Sequence, residues 1–407
     1  MAISNLGRRA VPWLLGLFAL FTPFSIAGAH VSLSLALLAA LTDPACRAAM
    51  ARLGRHRLAL PLLAWIAVHL LAVAFALDVG GSAEKLKKLA LLVLIPLGAL
   101  PSVRRALRPL LAVLIGSTAV VSVWGLVDHF LHGGGLEARL HGVFGFYMTV
   151  AGILMMVGLL CVAQLLAAAK DPHSRRVGFL SGSGLAILVA LIATYTRGSW
   201  LGFAAGVAWL LRKRWLLLLS LGAVVVAVFV FGAPALRDRA ASIVDPNHRL
   251  NVERVAIWRT GIDLVKEHPL TGVGLVIPKE EMDREFDTPY GPVKPHSHMH
   301  NAYLQIAVAM GLPALAVFLW LIVALFRTAR CAPRGCIRNL WEEGLVAAYP
   351  AILIGLLVNG LVEWNFGDSE IIGLLWLLTG TLVGIETTDQ FEPAGPTGSI
   401  VPGRPAE

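Results

Sequence analysis

His296-Ser297-His298-Met299-His300-Asn301-Ala302-Tyr303-Leu304-Gln305 closes a polar stretch of more than sixty residues, the only long one in the chain, and opens an apolar run that continues to Phe326. Three imidazoles thus stand where water gives way to lipid. Lipid does not hydrate ionisable groups, and such groups at a membrane boundary tend to carry function. The flanks of the string decide the fold. They are apolar runs of roughly 15–25 residues, the length that crosses a bilayer.

The rest of the chain repeats that pattern. Hydrophobic residues make up 57% and charged residues 14%, and the mean hydropathy is +0.74. A soluble domain carries about 25% charged residues. Short strands of alternating polarity, the mark of a β-barrel, do not occur. The sequence predicts an all-α, polytopic integral membrane protein with about 12 transmembrane helices and one large structured outer loop. The spans lie near 11–25, 28–42, 58–77, 86–100, 107–128, 145–168, 179–194, 198–211, 215–233, 302–326, 341–362 and 369–385. The net charge of +9 records loop bias, so no nucleic-acid partner is expected.

That bias sets the orientation. With Arg8 and Arg9 cytoplasmic, every second loop should be basic. Arg47, Arg52, Arg55 and Arg57 fall on that side, as do Arg104, Arg105 and Arg108. Lys170, Arg175 and Arg176 follow, then Arg212, Lys213 and Arg214, then Arg327, Arg330, Arg334 and Arg338. Arg8-Arg9 and Ala27-Gly28-Ala29 resemble a cleavable signal, but the apolar sequence continues, so an uncleaved first span is expected. Residues 1–233 would hold spans one to nine, 234–300 an outer loop domain, 301–386 the last three spans and 387–407 a disordered cytoplasmic tail. Cys46, Cys161, Cys331 and Cys336 all fall inside or within a span, so no structural disulfide is expected.

Four outer segments then hold the chemistry. They are the loop Asp128 to Gly145, the turn Tyr195-Thr-Arg197-Gly-Ser-Trp200, the loop 234–300 and the turn Glu363-Trp-Asn-Phe-Gly-Asp368. In the large loop Asn251 can cap a helix whose apolar positions Val255, Trp258, Ile262 and Val265 recur at helical spacing. Arg254 lies one turn before Trp258 and can stack on it. Thr271-Gly-Val-Gly274 makes a turn, and Pro278 to Phe286 reads as a second amphipathic piece. Lys85, Lys87 and Lys88 break the charge rule by falling outside. They are expected at headgroups or against the phosphates of a lipid substrate.

Arg254-Val-Ala-Ile-Trp258, His268-Pro-Leu-Thr-Gly-Val-Gly274 and His300-Asn-Ala-Tyr-Leu-Gln305 resemble the shared signature of the O-antigen ligase/polymerase superfamily. Arg197-Gly-Ser resembles its earlier arginine motif and Arg139-Leu-His-Gly142 a further, weaker one. The resemblance implies a GT-C-like membrane enzyme of bacterial lipopolysaccharide assembly in the inner membrane. Its donor would be undecaprenyl diphosphate-linked glycan and, for a ligase with a single large outer loop, its acceptor would be lipid A–core. Membrane lipids are the remaining partners. An O-antigen or exopolysaccharide polymerase and a protein O-oligosaccharyltransferase use the same donor and remain alternatives.

The residues fit such a reaction. Arginine forks bind phosphate bidentately, and Arg197 at a helix start adds the helix dipole. Arg197, Arg254 and Arg139 are therefore diphosphate candidates, and neutral His300 is the base candidate for the acceptor hydroxyl. His298, Asn301, Tyr303 and Trp258 are secondary candidates. No cofactor and no metal is expected. Blander readings stand beside these. The arginines could anchor at headgroups, His300 could cap a helix, and His296, His298 and His300 could share a strand face around a metal. Trp258 and Trp364 suit interfacial aromatics. Glu363 and Asp368 are rival carboxylates; one base without a carboxylate nucleophile would predict inversion. A flippase would need charged spans and repeat symmetry, and a scaffold leaves the arginines and histidine unexplained.

Overall fold

The apolar runs fold as helices in the computed structural model, which describes residues 6–142, 145–171, 176–231, 234–283, 286–293, 298–331 and 336–387. In chain order the helices are α1 Leu6–Phe21, α2 Ile26–Thr42, α3 Pro44–Arg52, α4 Ala59–Ala74, α5 Val79–Lys85, α6 Leu94–Gly98, α7 Pro101–Arg105, α8 Leu107–Leu131 and α9 Tyr147–Ala168. They continue with α10 Arg176–Ala193, α11 Arg197–Leu211, α12 Trp215–Phe231, α13 Pro234–Ala241, α14 Arg249–Glu267, α15 Lys279–Met282, α16 Ala302–Cys331, α17 Leu340–Asn359 and α18 Ser369–Thr387. One antiparallel hairpin, β1 Phe286–Thr288 with β2 Gly291–Val293, pairs Phe286 with Val293.

Among the described residues six helices are long and apolar enough to cross a membrane: α8, α9, α10, α16, α17 and α18. The protein is therefore all-α and multi-pass. The helices α1, α2, α4, α11 and α12 fill the other expected spans but have only 15–17 residues. The interval 86–100 differs most. It is a 3₁₀ helix, Leu86–Val93, followed by the five-residue α6. Apolarity alone does not distinguish such a tight, short element from an α-helical span. The tail 388–407 lies outside the described residues.

Connectivity sends alternate helix ends to opposite ends of the bundle. One end collects ion pairs: Arg8 with Asp43 at 3.1 Å and the buried Arg104 with Glu342 at 2.9 Å. Arg57 with Glu386 and Lys170 with Glu343 join them. The other end collects Arg139, Arg197, the loop 234–300, His300 and Glu363. Two packing arrangements build that second end. On α11, Gly198, Gly202 and Gly206 form a small-residue stripe that lets backbones approach. It lies against Asn359, Gly355 and Ala351 of α17; a Cβ on Gly202 would sit 2.5 Å from the Gly355 carbonyl oxygen. Arg197, first residue of α11, is thereby brought beside the loop that follows α17.

The second arrangement breaks α16. Gly311 has φ 80°, which interrupts the helix. Carbonyls freed by the break accept from the strap His268 to Gly274: Val273 N donates to Val308 O at 2.9 Å and Gly274 N to Ala309 O at 3.0 Å. Leu312 N donates back to Pro269 O at 2.8 Å. Irregular backbone inside a bundle is tolerated only when satisfied in this way. Leu264, Val273, Met282, Met299 and Val308 form a small second core that docks the loop onto α16. At Gly272, φ is +68° and a Cβ would lie 2.4 Å from Ala309 C. Gly272→Ala is expected to cost roughly 2–4 kcal/mol, read as a fall in thermal unfolding temperature in detergent. Gly16→Ala, where a Cβ meets nothing within 4 Å, is the control and should leave that temperature nearly unchanged.

The loop differs from expectation in detail. The helix α14 starts at Arg249, capped by His248, whose side chain accepts from Leu250 N at 3.3 Å. Asn251 is inside it and bonds elsewhere. Among the described residues of Pro278 to Phe286 only Lys279–Met282 is helical, and Met282 is buried in the second core.

Candidate functional site

His300 sits at φ +45°, a left-handed conformation that costs a non-glycine residue roughly 1–3 kcal/mol. Its neighbours hold it there. Trp258 Nε1 donates to Met299 O at 2.9 Å, and Met299 N donates to Gln305 Oε1 at 2.8 Å. Asn301 caps α16, accepting from Leu304 N at 2.9 Å, and its amide donates to Leu361 O at 3.0 Å. Tyr303 donates to Leu357 O at 3.0 Å. Three of the secondary candidates, Trp258, Asn301 and Tyr303, thus fasten the turn that presents His300, and Arg254 does not stack on Trp258. His300 itself is not the cap.

The imidazole faces Glu363. Nδ1 of His300 lies 3.4 Å from Glu363 Oε1, and this buried nitrogen makes no hydrogen bond of ordinary geometry. Glu363 Oε1 also accepts from Trp364 N at 3.0 Å. Burial opposes ionisation of Glu363, but the contact and charge of His300, then His298 and the Trp364 N–H, hold its carboxyl below the usual range. The ring of His298 packs edge-on against that of His300 with centroids 4.2 Å apart, and His300 N donates to His298 Nδ1 at 3.3 Å. Burial, then His300 and Arg254, push His298 below the usual imidazole value. Donor atoms of His298, His300 and Glu363 lie within 4.8 Å of one another, a spacing that could hold a metal ion. The sequence offered His296 as the third member of such a group; in the structure Glu363 completes it. His296 lies outside the described residues.

These groups line a cavity of about 710 Å³. Its polar wall holds His298, His300, Glu363, Asp368, Lys85 and Lys88, and its apolar part holds Trp65, Phe318, Leu321, Ile322, Leu375 and Trp376. Lys88 Nζ donates to Gly367 O. Lys87 is exposed and does not line the cavity. Asp368 accepts from Thr149 Oγ1 at 2.9 Å. Burial pushes its carboxyl up to about 6 against that bond, with Glu370 and Glu363 adding to the rise. Between the ordinary carboxyl value and about 6 the folded chain keeps a proton that the unfolded chain has released. Stability therefore falls as pH rises through that window. Asp368→Asn keeps an acceptor for Thr149 and removes the charge. It should match the wild type at the acid end of the window and exceed it by at most about 3 kcal/mol above it, as measured by thermal unfolding across pH.

A second, smaller recess shares Tyr147, Met148 and Glu363 with the cavity and is lined by Arg197, Arg239, Arg254, Thr196 and Asn359. Arg197 is buried and clasps the loop: Nη1 donates to Ser242 O at 2.5 Å and Ser242 Oγ at 3.0 Å, and Nη2 to Asn251 Oδ1 at 2.9 Å. Asn251 in turn donates to Ser242 O at 2.9 Å and Asp245 O at 2.7 Å. Arg239 donates through Nε to Tyr195 O at 2.9 Å. Arg254 makes no hydrogen bond or ion pair among the described residues. Arg139 lies over the Tyr147 ring, 4.7 Å from its centroid, outside the recess. Burial and the neighbouring Arg139, Arg197 and Arg254 push Arg239 down to about 10. Guanidiniums that repel one another around one carboxylate form a ready polyanion site.

Sequence reading missed Arg239 and the pairing of Glu363 with His300. Arg239 carried a signal, a basic residue just beyond an apolar run on the side where basic residues are disfavoured. The pairing carried none, because the two residues are far apart in sequence.

Residues 182–319 match the protein-family model described as O-Antigen ligase. The match runs from α10 into α16 and contains Arg197, Arg239, Arg254, His298 and His300; Glu363, Arg139 and the lysines lie outside it. This match over residues 182–319 supports the resemblance to the O-antigen ligase/polymerase superfamily that the motifs from Arg197 to Gln305 imply. A match to this family supports an enzyme of the glycosyltransferase-like, ligase/polymerase kind. No curated protein matches the chain.

Proposed function

We propose that the protein transfers O-antigen polysaccharide from undecaprenyl diphosphate to a sugar hydroxyl of lipid A–core at the periplasmic face of the bacterial inner membrane. One observation carries this reading: the arginine recess and the His300 cavity share the wall formed by Tyr147, Met148 and Glu363. A diphosphate held by the arginines would set its glycosyl carbon beside a base in the adjoining cavity. Arg254 and Arg239 bind the diphosphate, and Arg197 fastens the loop that carries them while adding charge. Arg139 strengthens the field from the rim. Lys85 and Lys88 take lipid phosphate at the cavity wall, and Lys87 meets headgroups outside.

In this mechanism Nδ1–H of His300 points to the Glu363 carboxylate, which fixes the tautomer and leaves the Nε2 lone pair free. Nε2 takes the proton of the acceptor hydroxyl as its oxygen attacks the anomeric carbon. The bond to the diphosphate oxygen breaks, and the leaving charge falls on phosphate held by the arginines. A single displacement inverts the anomeric centre. No step needs a cofactor or a metal. In this reading the chain crosses the membrane about twelve times, the 3₁₀ segment Leu86–Val93 and α6 together making one short crossing, with both termini cytoplasmic.

The test is product identity. Purified protein in liposomes is given lipid-linked O-antigen with lipid A–core, or the donor alone. Glycan joined to lipid A–core is the expected product. Longer glycan still on the polyprenyl carrier, formed from donor alone, would instead make the protein a polymerase.

A further inference from the structure

We propose that His298, His300 and Glu363 also form a binding site for a single zinc ion, and that its occupancy switches transfer off. The binding site stands on geometry; the switching rests on the reading of His300 as the base. The donor atoms of the three side chains converge within 4.8 Å. The His300 Nδ1 to Glu363 Oε1 separation is 3.4 Å, and two ligands at 2.0–2.1 Å from a tetrahedral zinc are about 3.4 Å apart. Nδ1 makes no hydrogen bond of ordinary geometry, so an ion there would displace only its 3.4 Å contact with Glu363. Two imidazoles and one carboxylate suit zinc better than the hard cations magnesium or calcium. Three protein ligands leave the fourth position open to the cavity, where water can complete the shell. Arg254 shares the smaller recess with Glu363, and its charge opposes the ion and limits affinity.

The chemistry makes the two states exclusive. A neutral imidazole carries one proton. As a base, His300 keeps it on Nδ1, against Glu363, and offers the lone pair of Nε2. As a zinc ligand, it gives the Nδ1 lone pair to the metal, and its proton resides on Nε2. No lone pair then remains for the acceptor hydroxyl, and Glu363 is bound to the ion.

The test uses the full chain in nanodiscs with cobalt as a spectroscopic stand-in for zinc. We expect one cobalt per chain with tetrahedral absorption bands, displaced by zinc. Glu363→Gln and His298→Ala should each weaken cobalt binding by roughly 10–100-fold or more, whereas Arg254→Ala should strengthen it. Stoichiometric zinc should abolish transfer, and EDTA should restore it fully. Cobalt binding unchanged in both ligand variants would overturn the site. Full transfer with one zinc per chain would overturn the switch. Activity lost to EDTA and recovered with zinc would do so as well, because the metal would then be a cofactor. Failure of the base assignment reads out separately, as a His300→Ala variant that still transfers.

Discussion

A His300→Ala variant is expected to transfer glycan roughly 10²–10⁴-fold more slowly than the wild type, the usual contribution of a positioned general base. Single-turnover measurement with saturating donor isolates that step. Donor affinity should hold, because the phosphate contacts are assigned to Arg254 and Arg239 in the neighbouring recess. His300 is at φ +45°, so alanine adds backbone strain to the loss of the ring. His300→Asn separates the two, since asparagine tolerates this conformation and offers no base. Both variants should be equally slow. Glu363→Gln should lose less, because the amide keeps the volume and an acceptor oxygen but not the charge that fixes the imidazole. Either His300 variant at more than a tenth of the wild-type rate would remove the base from the mechanism and leave His300 as a structural turn residue.

The sequence made the helices legible because a bilayer demands long apolar runs, and it made one end of the bundle legible because arginine clusters mark alternate loops. Arg197, Arg254 and His300 stood out in the sequence as candidates, and the structure brings all three to the same end. Roles that depend on contact were not legible. Trp258, Asn301 and Tyr303 are spaced like site residues, yet their polar atoms fasten the His300 turn. The strap Thr271-Gly-Val-Gly274 reads as a plain turn; only the break at Gly311 shows what its N–H groups satisfy. The 3₁₀ segment Leu86–Val93 has the composition of a span and the geometry of a short packed element. Glu363 meets His300 through the packing of the elements between them, which no periodicity records. Arg197 carries both kinds of information. Its type suggested anion binding, and its partners Ser242 and Asn251 give it a second task in the loop.

Arg254→Ala should weaken binding of the lipid diphosphate by roughly 2–5 kcal/mol, the cost of removing one partner of a desolvated charge pair. At 1.4 kcal/mol per factor of ten this is roughly 30–4000-fold in affinity. Thermal stability should barely change, because Arg254 makes no hydrogen bond or ion pair among the described residues and its removal relieves repulsion on Arg239. Arg254→Lys should recover only part of the loss, since an ammonium offers a point charge where the diphosphate needs a planar fork. Arg197→Ala should behave differently. It removes three hydrogen bonds to Ser242 and Asn251, so the loop loosens and the unfolding temperature falls together with affinity. The contrast discriminates between readings. A lipid anchor at either position would change insertion and leave diphosphate affinity intact. Equal stability losses in the two variants would mean that Arg254, too, serves the loop. Affinity lost at Arg254 alone without loss of stability is the pattern of a residue kept for its ligand.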